Sequence, residues 1–303
     1  MARKHLACKT PRPALHSNGE IAPTTLRAGC KVNLSLRITG VLPNGYHTLD
    51  SVFLPLPRPH DLLHITPGTA PGLTLACSDP ALDPRENTLT RAYRLFAEAS
   101  SFSPPLTITL EKGIPSGAGL GGGSSDAAAL LRYLNDRAPQ ALDAKTLHAV
   151  AVRVGADVPF FLQDCPCRVQ GIGDILEPYM PGLAGLWLVL VCPAVRVSTP
   201  WAYTTWDALR SASAHDLTKR EADANGTDFR FHCLNDLEEA VFPVYPELAR
   251  IKRELFRQGA AAAVMSGSGA SQVGLFRDQR ATESAIAFFQ AEGIRTYCHL
   301  LSC

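Results

Sequence analysis

The stretch Ile114–Leu131, IPSGAGLGGGSSDAAALL, places five glycines directly before a run of alanines and leucines. Glycine permits backbone conformations that other residues disfavour, whereas alanine and leucine are strong helix formers. A helix N-terminus presents N–H groups without intrahelical partners, and a glycine-rich loop can direct further N–H groups to the same point. The stretch therefore predicts an anion-binding loop, most naturally for phosphates, although a flexible loop before a capped helix would explain the same residues.

Two familiar nucleotide motifs do not fit this stretch. No lysine follows the glycines, which excludes the pattern G-x-x-x-x-G-K-[ST]. The pattern G-x-G-x-x-G is present in Gly117–Gly122, but no acidic residue closes a following strand about 20 residues later, as a dinucleotide-binding unit requires. A different kind of phosphate-binding fold is indicated.

Composition narrows the class of protein. The chain has 303 residues, 46% of them hydrophobic, and 29 basic against 28 acidic side chains, for a net charge of +1. Its length favours two domains, and its charge balance argues against a dedicated nucleic-acid binder. No apolar run reaches the length of about 18 residues that a membrane-spanning helix needs, so no membrane partner is expected.

The cysteines and the N-terminus indicate a cytoplasmic protein. Nine cysteines at irregular spacing are typical of a reducing compartment, and the closest pair, Cys165 and Cys167, lacks the spacing of a metal knuckle, so no metal ligands are predicted among them. Residues 1–24 are basic and contain three prolines but no apolar segment of a secretory signal. They are predicted to form a flexible tail.

Hydrophobic periodicity predicts a mixture of strands and helices. Residues 25–38 alternate, with Lys31 and Asn33 on the face opposite Val32 and Leu34, which predicts a half-buried strand. A turn at residues 43–45 precedes a second strand at 48–56; 61–67 and 72–78 read as two more short strands. Three helices are predicted: one that starts after Asn87, one at 125–134 and one that ends at Gly155. A domain boundary is predicted near 178–185. Strands and helices do not alternate regularly, so the fold class is α+β.

Three motifs together resemble one family. The segment PSGAGLGGGSSDAA, residues 115–128, is similar to the phosphate-binding loop of the kinases named for galactose, homoserine, mevalonate and phosphomevalonate, the GHMP kinases. AGCKVNLSLRITGVLPNGYHTLDS, residues 28–51, and MSGSGAS, residues 265–271, resemble the family's first and third motifs. Their order and spacing agree over some 250 residues of the chain.

The resemblance implies the two-domain GHMP kinase fold. An N-terminal domain like domain 2 of ribosomal protein S5 would span residues 25–180, and a ferredoxin-like domain residues 181–303. ATP would be the phosphate donor, with Mg²⁺ expected beside it but no metal ligand assignable. The residues that match the ATP-binding loop are Pro115, Ser116, Gly117, Ala118, Gly119, Leu120, Gly121, Gly122, Gly123, Ser124 and Ser125. Alanine at 118, where glycine is common, is tolerable only if its φ is negative.

The resemblance also implies a reaction. Lys31 and Asp157, the latter in GADVPFF, match the family's catalytic pair. Asp157 would receive the proton of the acceptor hydroxyl, and Lys31 would keep Asp157 ionised. Three stretches are most similar to the members that phosphorylate a tertiary hydroxyl of a cytidine-diphosphate-linked sugar alcohol in the non-mevalonate isoprenoid route. They are KVNLSLRITGVLPNGYHTL, GLGGGSSDAA and GADVPFF.

The substrate-binding residues follow from the same likeness. Tyr46 and His47 would form one wall of a cytidine pocket and bind the base edge, and Tyr203 would form the other wall. Thr199 would bind sugar-alcohol hydroxyls, and Asn33 shares the face of Lys31. Two alternatives stay open: a family member for homoserine or mevalonate, and a nucleotide-binding module without catalysis. The oligomeric state is not predicted.

Overall fold

A computed structural model describes residues 21–80, 82–83, 85, 87–163, 165–212 and 233–302. Most of the predicted tail, residues 1–20, lies outside the described residues, and the first strand begins at Thr24. None of the described helices is both long enough and apolar enough to cross a membrane.

Eighteen elements make up the described chain. The strands are β1 Thr24–Val41, β2 His47–Pro67, β3 Leu73–Cys77, β4 Leu106–Glu111, β5 Cys167–Gly171, β6 Ile175–Pro178, β7 Trp187–Cys192, β8 Ala262–Met265, β9 Gln272–Phe276 and β10 Arg295–Leu300. The helices are α1 Thr88–Ser100, α2 Gly122–Arg137, α3 Ala144–Val154, α4 Val158–Gln163, α5 Thr199–Ala212, α6 Glu238–Val241, α7 Pro246–Arg257 and α8 Gln279–Ala291. This mixture of helix and sheet confirms the α+β class.

The chain passes repeatedly between two compact units. The first unit comprises the described parts of Met1–Ala28, Asp61–Lys112 and Gly123–Cys165. In it β3 pairs in parallel with β4, which pairs antiparallel with residues 62–67 of β2. Its core contains large, fully buried side chains from β2, α1, β4 and α4, such as Ile65, Phe96, Ile108 and Phe160.

The second unit comprises Gly29–His60, Gly113–Gly122 and the described parts of Pro166–Cys303. Its four-stranded antiparallel sheet has the order β10-β7-β9-β8. Residues 49–53 of β2 pair antiparallel with β5, which pairs with β6. Since both units draw on separated segments, the predicted domain ranges 25–180 and 181–303 stay a prediction of the family's domains.

Local signals predicted several element ends correctly. The side chain of Asn87 accepts a hydrogen bond from the backbone N–H of Leu89 and caps α1, as predicted. Asp143 caps α3 in the same way, and that helix ends at Gly155. Each cap satisfies a backbone donor that the first helical turn leaves without a partner. The third motif, residues 265–271, lies at the turn that joins β8 and β9.

Two strand predictions were wrong in informative ways. Residues 61–67 are not a separate strand but the continuation of β2, through Pro55, Pro57 and Pro59. These prolines fall between the residues that pair with β5 and those that pair with β4, where neither ladder needs their missing N–H groups. Strand β1 is not half-buried throughout, because residues 30–34 are buried on both faces.

Candidate active site

The glycine-rich loop has a regular alternation of backbone conformation. Gly117, Gly119 and Gly121 have φ of +70°, +74° and +70°, while Ala118 and Leu120 between them are buried. In the part of the chain that the structure describes, Ser101 is the single non-glycine residue with positive φ. The φ of Ala118 is therefore negative, as an alanine at this position requires. A positive φ at every second residue is compatible with an anion-binding concavity, in which backbone N–H groups of alternating handedness point to one side.

The loop's carbonyl groups are held by the rest of the second unit. The backbone N–H of Lys31 donates to the carbonyl of Leu120 at 3.0 Å, and that of Ser271 donates to Ala118 at 3.2 Å. The Ser266 hydroxyl donates to the carbonyl of Gly119 at 3.0 Å. These hydrogen bonds satisfy three backbone acceptors of the loop and tie it to the rest of the second unit.

Gly119 lies where no larger residue fits. A Cβ atom on it would lie 2.1 Å from the carbonyl oxygen of Ser266 and 3.0 Å from that of Gly269. The turn Ser266–Ser271 is itself anchored, because the Asn235 side chain donates to the carbonyls of Met265 and Gly267, each at 2.7 Å. The third motif therefore supports the glycine-rich loop by close backbone packing.

The loop leads directly into α2, which begins at Gly122, three residues before its predicted start. The Thr88 hydroxyl, at the start of α1, donates to the carbonyl of Gly123 at 2.9 Å in the first unit. Ser124 is half-buried and Ser125 is buried. The first turn of α2 is thus held by neighbouring structure as well as by its own hydrogen bonds.

Lys31 and Asn33 are brought together in the second unit. The Lys31 Nζ donates to Asn33 Oδ1 at 2.5 Å and lies 4.3 Å from the centroid of the Phe53 ring. Asn33 donates from Nδ2 to the Ser51 hydroxyl at 3.0 Å, and its backbone N–H donates to the Ser266 hydroxyl at 3.1 Å. Lys31 is only 4% exposed, so a solvated strand lysine is excluded. A buried ammonium held this way can stabilise negative charge more strongly than one in water.

Asp157 lies in the first unit, immediately before α4, and is half-buried. The backbone N–H of Val158, the next residue, donates to the carbonyl of Gly155 at 3.1 Å, which closes a tight turn around it. Lys31 belongs to the second unit. The predicted pairing of Lys31 with Asp157 stays a prediction.

The predicted substrate-binding residues lie at two places in the second unit. His47, the first residue of β2, contacts Tyr203 of α5, with ring centroids 4.7 Å apart. Tyr46 is 60% exposed. Thr199, the first residue of α5, shares a hydrogen bond with the Ser268 hydroxyl at 2.7 Å. Helix α5 therefore links the hairpin of the first motif to the turn of the third motif.

Sequence reasoning missed two charged residues next to these positions. The Asp207 carboxylate lies 2.8 Å from Nε2 of His47. Arg196 lies beside Gly117, since a Cβ atom added to that glycine would be 3.8 and 3.9 Å from Cβ and Cγ of Arg196. The pattern Ser198-Thr199-Pro200 is a helix-start signal that would have predicted α5. Tyr203 and Asp207 are four residues apart, so a helix there would have placed them on the same face. No comparable local signal indicates Arg196.

A buried charge cluster supports α2 from within the first unit. The Lys112 Nζ binds Asp61 Oδ2 and, at 3.1 Å, Asp126 Oδ2. Asp61 is fully buried and Asp126 is 1% exposed. Burial raises the pKa of Asp126 to about 8; Lys112 opposes this shift and Asp61 adds to it. Burial alone would lower the pKa of Lys112, but the two carboxyl groups outweigh it and raise that pKa. The cluster has one ammonium group and two carboxyl groups, so its charges balance when Asp126 holds a proton.

This cluster makes stability depend on pH. Folding raises the pKa of Asp126 from 3.8 to about 8, so the native state keeps this proton over a pH range in which the unfolded chain has lost it. The resulting stability is complete below pH 4, decreases as pH rises above 4, and is gone once pH has passed 8. We expect the free energy of unfolding to fall by roughly 1 kcal/mol per pH unit between pH 6 and 8, and Asp126→Asn to remove most of that slope. Urea unfolding at pH 6, 7 and 8 measures it.

The control for this prediction is Asp143→Asn. Hydrogen bonds from the start of α3 lower the pKa of Asp143, so it stays ionised across this pH range, and asparagine caps helices as well as aspartate does. Its pH slope should match that of the unchanged chain. Equal slopes for all three proteins would contradict a protonated Asp126.

Taken together, these features define a class. The α+β fold has a glycine-rich loop with repeated positive φ at a helix start, and this loop is bound by a glycine turn and by a strand that carries a buried lysine. These are the features of a small-molecule phosphotransferase.

Among the described residues, no group of three or more histidine, cysteine or acidic side chains could hold a metal ion.

Comparison with known proteins gives the family. Residues 87–164 match the family model of the GHMP kinase N-terminal domain, and residues 208–295 match that of the GHMP kinase C-terminal domain. The chain belongs to the GHMP kinase family, and it is a small-molecule kinase.

Several relatives carry one name, 4-diphosphocytidyl-2-C-methyl-D-erythritol kinase. The protein of that name from Nitratidesulfovibrio vulgaris is 50% identical over 281 residues, covering 91% of this chain and 98% of the relative. The one from Lawsonia intracellularis is 43% identical over 303 residues, covering 95% and 99%. A crystal structure of 4-(cytidine 5'-diphospho)-2C-methyl-D-erythritol kinase is 32% identical with a TM-score of 0.70, covering 91% of this chain and 98% of that one. A homoserine kinase from Cytophaga hutchinsonii, 20% identical with a TM-score of 0.69, covers 94% and 96% and shares the fold.

Proposed function

We propose that the chain transfers the γ-phosphoryl group of ATP to the 2-hydroxyl of 4-diphosphocytidyl-2-C-methyl-D-erythritol, in the non-mevalonate route to isoprenoid precursors. The observation that carries the proposal is the loop of residues 115–121, in which Gly117, Gly119 and Gly121 have positive φ and the three carbonyls of residues 118–120 accept hydrogen bonds from elsewhere in the second unit. Relatives that are 40–50% identical over most of their length supply the acceptor.

The loop and the first turn of α2, residues Pro115–Ser125, bind the phosphates of ATP. Their N–H groups replace the water that the anionic oxygens lose, and the helix start adds a favourable dipole. Mg²⁺ enters with ATP as part of the substrate, since Mg²⁺ in kinase sites keeps several waters and is bound by the substrate phosphates together with one or two carboxylates.

Asp157 and Lys31 carry the chemistry. The bond between the γ-phosphorus and the β,γ-bridging oxygen breaks, a bond from phosphorus to the acceptor oxygen forms, and ADP leaves. The acceptor's hydroxyl proton passes to Asp157 as its oxygen becomes bound to phosphorus. The Lys31 ammonium lowers the energy of negative charge on the acceptor oxygen, and Asn33 keeps that ammonium oriented.

The cytidine end of the substrate binds at the start of β2 and along α5. Tyr46 supplies an exposed ring for stacking on the base, His47 binds the base edge, and Tyr203 forms the second wall. Thr199 binds hydroxyls of the sugar alcohol. The enzyme works in the cytoplasm, a location supported by its nine cysteines at irregular spacing, which are typical of a reducing compartment.

The test is turnover with ATP and Mg²⁺ across three acceptors: the cytidyl compound, homoserine and mevalonate. We expect kcat/KM for the cytidyl compound to be at least about 100-fold above that for homoserine or mevalonate, because those two acceptors lack the base that the site recognises. Phosphorylation of homoserine or mevalonate in preference would contradict the acceptor, and ATP binding with no turnover on any acceptor would favour a non-catalytic module.

A further inference from the structure

We propose that Asp207 is a positioning residue that sets which nitrogen of His47 carries the hydrogen, and so makes the site select cytosine over uracil. The inference rests on the proposed function, in which His47 binds the edge of the base. Asp207 itself does not touch the substrate; it acts through His47.

The imidazole ring of His47 is held on three sides by α5. Tyr203 covers it with a tilted ring at 4.7 Å, and Trp206 meets it edge-on at 6.1 Å. Asp207 Oδ1 lies 2.8 Å from its Nε2 atom. The His47 side chain is only 10% exposed, whereas Asp207 is 42% exposed. Trp206 is 2% exposed, so it anchors this turn of α5 in the core and fixes the position of the neighbouring carboxylate.

The carboxylate determines the tautomer. An ionised carboxylate can only accept hydrogen bonds, so the nitrogen that faces it, Nε2, must carry the hydrogen. In a neutral imidazole the other nitrogen, Nδ1, is then an acceptor. Within the described part of the chain, the hydrogen bonds of His47 include none to Nδ1, which leaves this acceptor for a ligand.

An acceptor at Nδ1 distinguishes the two pyrimidines. Cytosine presents a hydrogen-bond donor, its exocyclic amine, where uracil presents a carbonyl oxygen. An acceptor facing that position binds cytosine and repels uracil, because two acceptors cannot share a hydrogen. The reverse tautomer would present a hydrogen and favour uracil. Asp207 therefore contributes specificity for the base without contacting it.

The first measurement reads the tautomer directly. Histidine labelled with ¹⁵N, observed by NMR at pH 8, where an ordinary histidine is neutral, separates a protonated nitrogen from an unprotonated one. We expect His47 to show a hydrogen on Nε2 and none on Nδ1. In Asp207→Asn, whose amide can either donate or accept, and in Asp207→Ala, which has no partner, we expect a substantial population of the Nδ1–H tautomer. An unchanged tautomer in both variants would overturn the proposal.

The second measurement reads specificity. We expect Asp207→Asn to raise KM for the cytidyl substrate about tenfold, to leave kcat and KM for ATP within about twofold, and to lower the preference for cytidyl over uridyl substrate about tenfold. The matched control is Asp278→Asn, an aspartate that caps α8 in the same unit and that asparagine replaces well. It should change none of these values, and thermal unfolding should show all variants folded.

Failure of this inference differs from failure of the proposed function. If the unchanged enzyme phosphorylates the cytidyl compound while Asp207→Asn keeps its KM and its base preference, Asp207 has no role in selection. If the unchanged enzyme phosphorylates none of the cytidyl compound, the proposed function itself is wrong, and the role of Asp207 in base selection falls with it.

Discussion

Asp157→Asn is expected to lower kcat about 10²–10⁴-fold while leaving the affinity for ATP within about threefold. Asparagine is nearly the same size, and it can still accept a hydrogen bond from the acceptor hydroxyl. It cannot take the proton, so the acceptor oxygen must bond to phosphorus without losing its hydrogen to the protein. ATP binding should persist because the proposed phosphate-binding groups are backbone N–H groups of residues 115–125, which this change leaves intact.

The measurement pairs single-turnover kinetics with calorimetric titration of a non-hydrolysable ATP analogue. Asp136→Asn serves as the control, because Asp136 is an exposed aspartate on α2. It should retain full turnover. Turnover of Asp157→Asn within a few-fold of the unchanged enzyme would show that Asp157 is not the proton acceptor. Loss of ATP affinity together with turnover would instead assign Asp157 a role in nucleotide binding.

Gly119→Ala should produce the largest loss of stability among single substitutions in the loop, together with at least a tenfold rise in KM for ATP. Its added Cβ would lie 2.1 Å from the backbone carbonyl oxygen of Ser266, and its φ of +74° is unfavourable for alanine. Backbone atoms cannot rotate away as a flexible side chain can. Either the loop or the turn of the third motif must move, and movement of the loop disturbs the N–H groups that are proposed to bind phosphate.

Gly182→Ala isolates the backbone part of that effect. Gly182 has a similar φ of +66° in the same unit, but a Cβ on it would meet nothing within 4 Å. It should lose only about 1–2 kcal/mol of unfolding free energy, the cost of a left-handed alanine, and should keep the KM for ATP. Urea unfolding and steady-state kinetics of the two variants test this. Equal losses of stability, or an unchanged KM in Gly119→Ala, would contradict the close packing of the two motifs.

Much of the site was predictable because its signals are local. Glycines that alternate with apolar residues before a helix former indicate a turn of mixed handedness, and the loop 115–121 has that form. Asn87 indicates a helix start because its side chain can accept a hydrogen bond from the first turn, and α1 begins directly after it. Signals of this kind require only a few neighbouring residues, so they are read from the chain directly.

Other features depend on residues far away in sequence. The alternation in β1 correctly placed Lys31 and Asn33 on one face, but it could not indicate that this face is buried, because Ser51, Phe53 and Ser266 cover it. The continuation of β2 through three prolines depends on which ladders flank them. The approach of α5 to His47, and with it the role proposed for Asp207, joins positions 160 residues apart.

By itself, the sequence indicated the family, the positive φ of glycines in the loop before α2 and the start of α1. All of these rest on backbone preferences that a few adjacent residues set. Only the tertiary structure decided which polar side chains are buried and with what partners. Lys112 with its two carboxyl groups in the first unit and Lys31 with Asn33 in the second are the examples. The physical reason is that burial removes water from a charge, and the groups that replace that water come from segments that the chain brings together only when it folds.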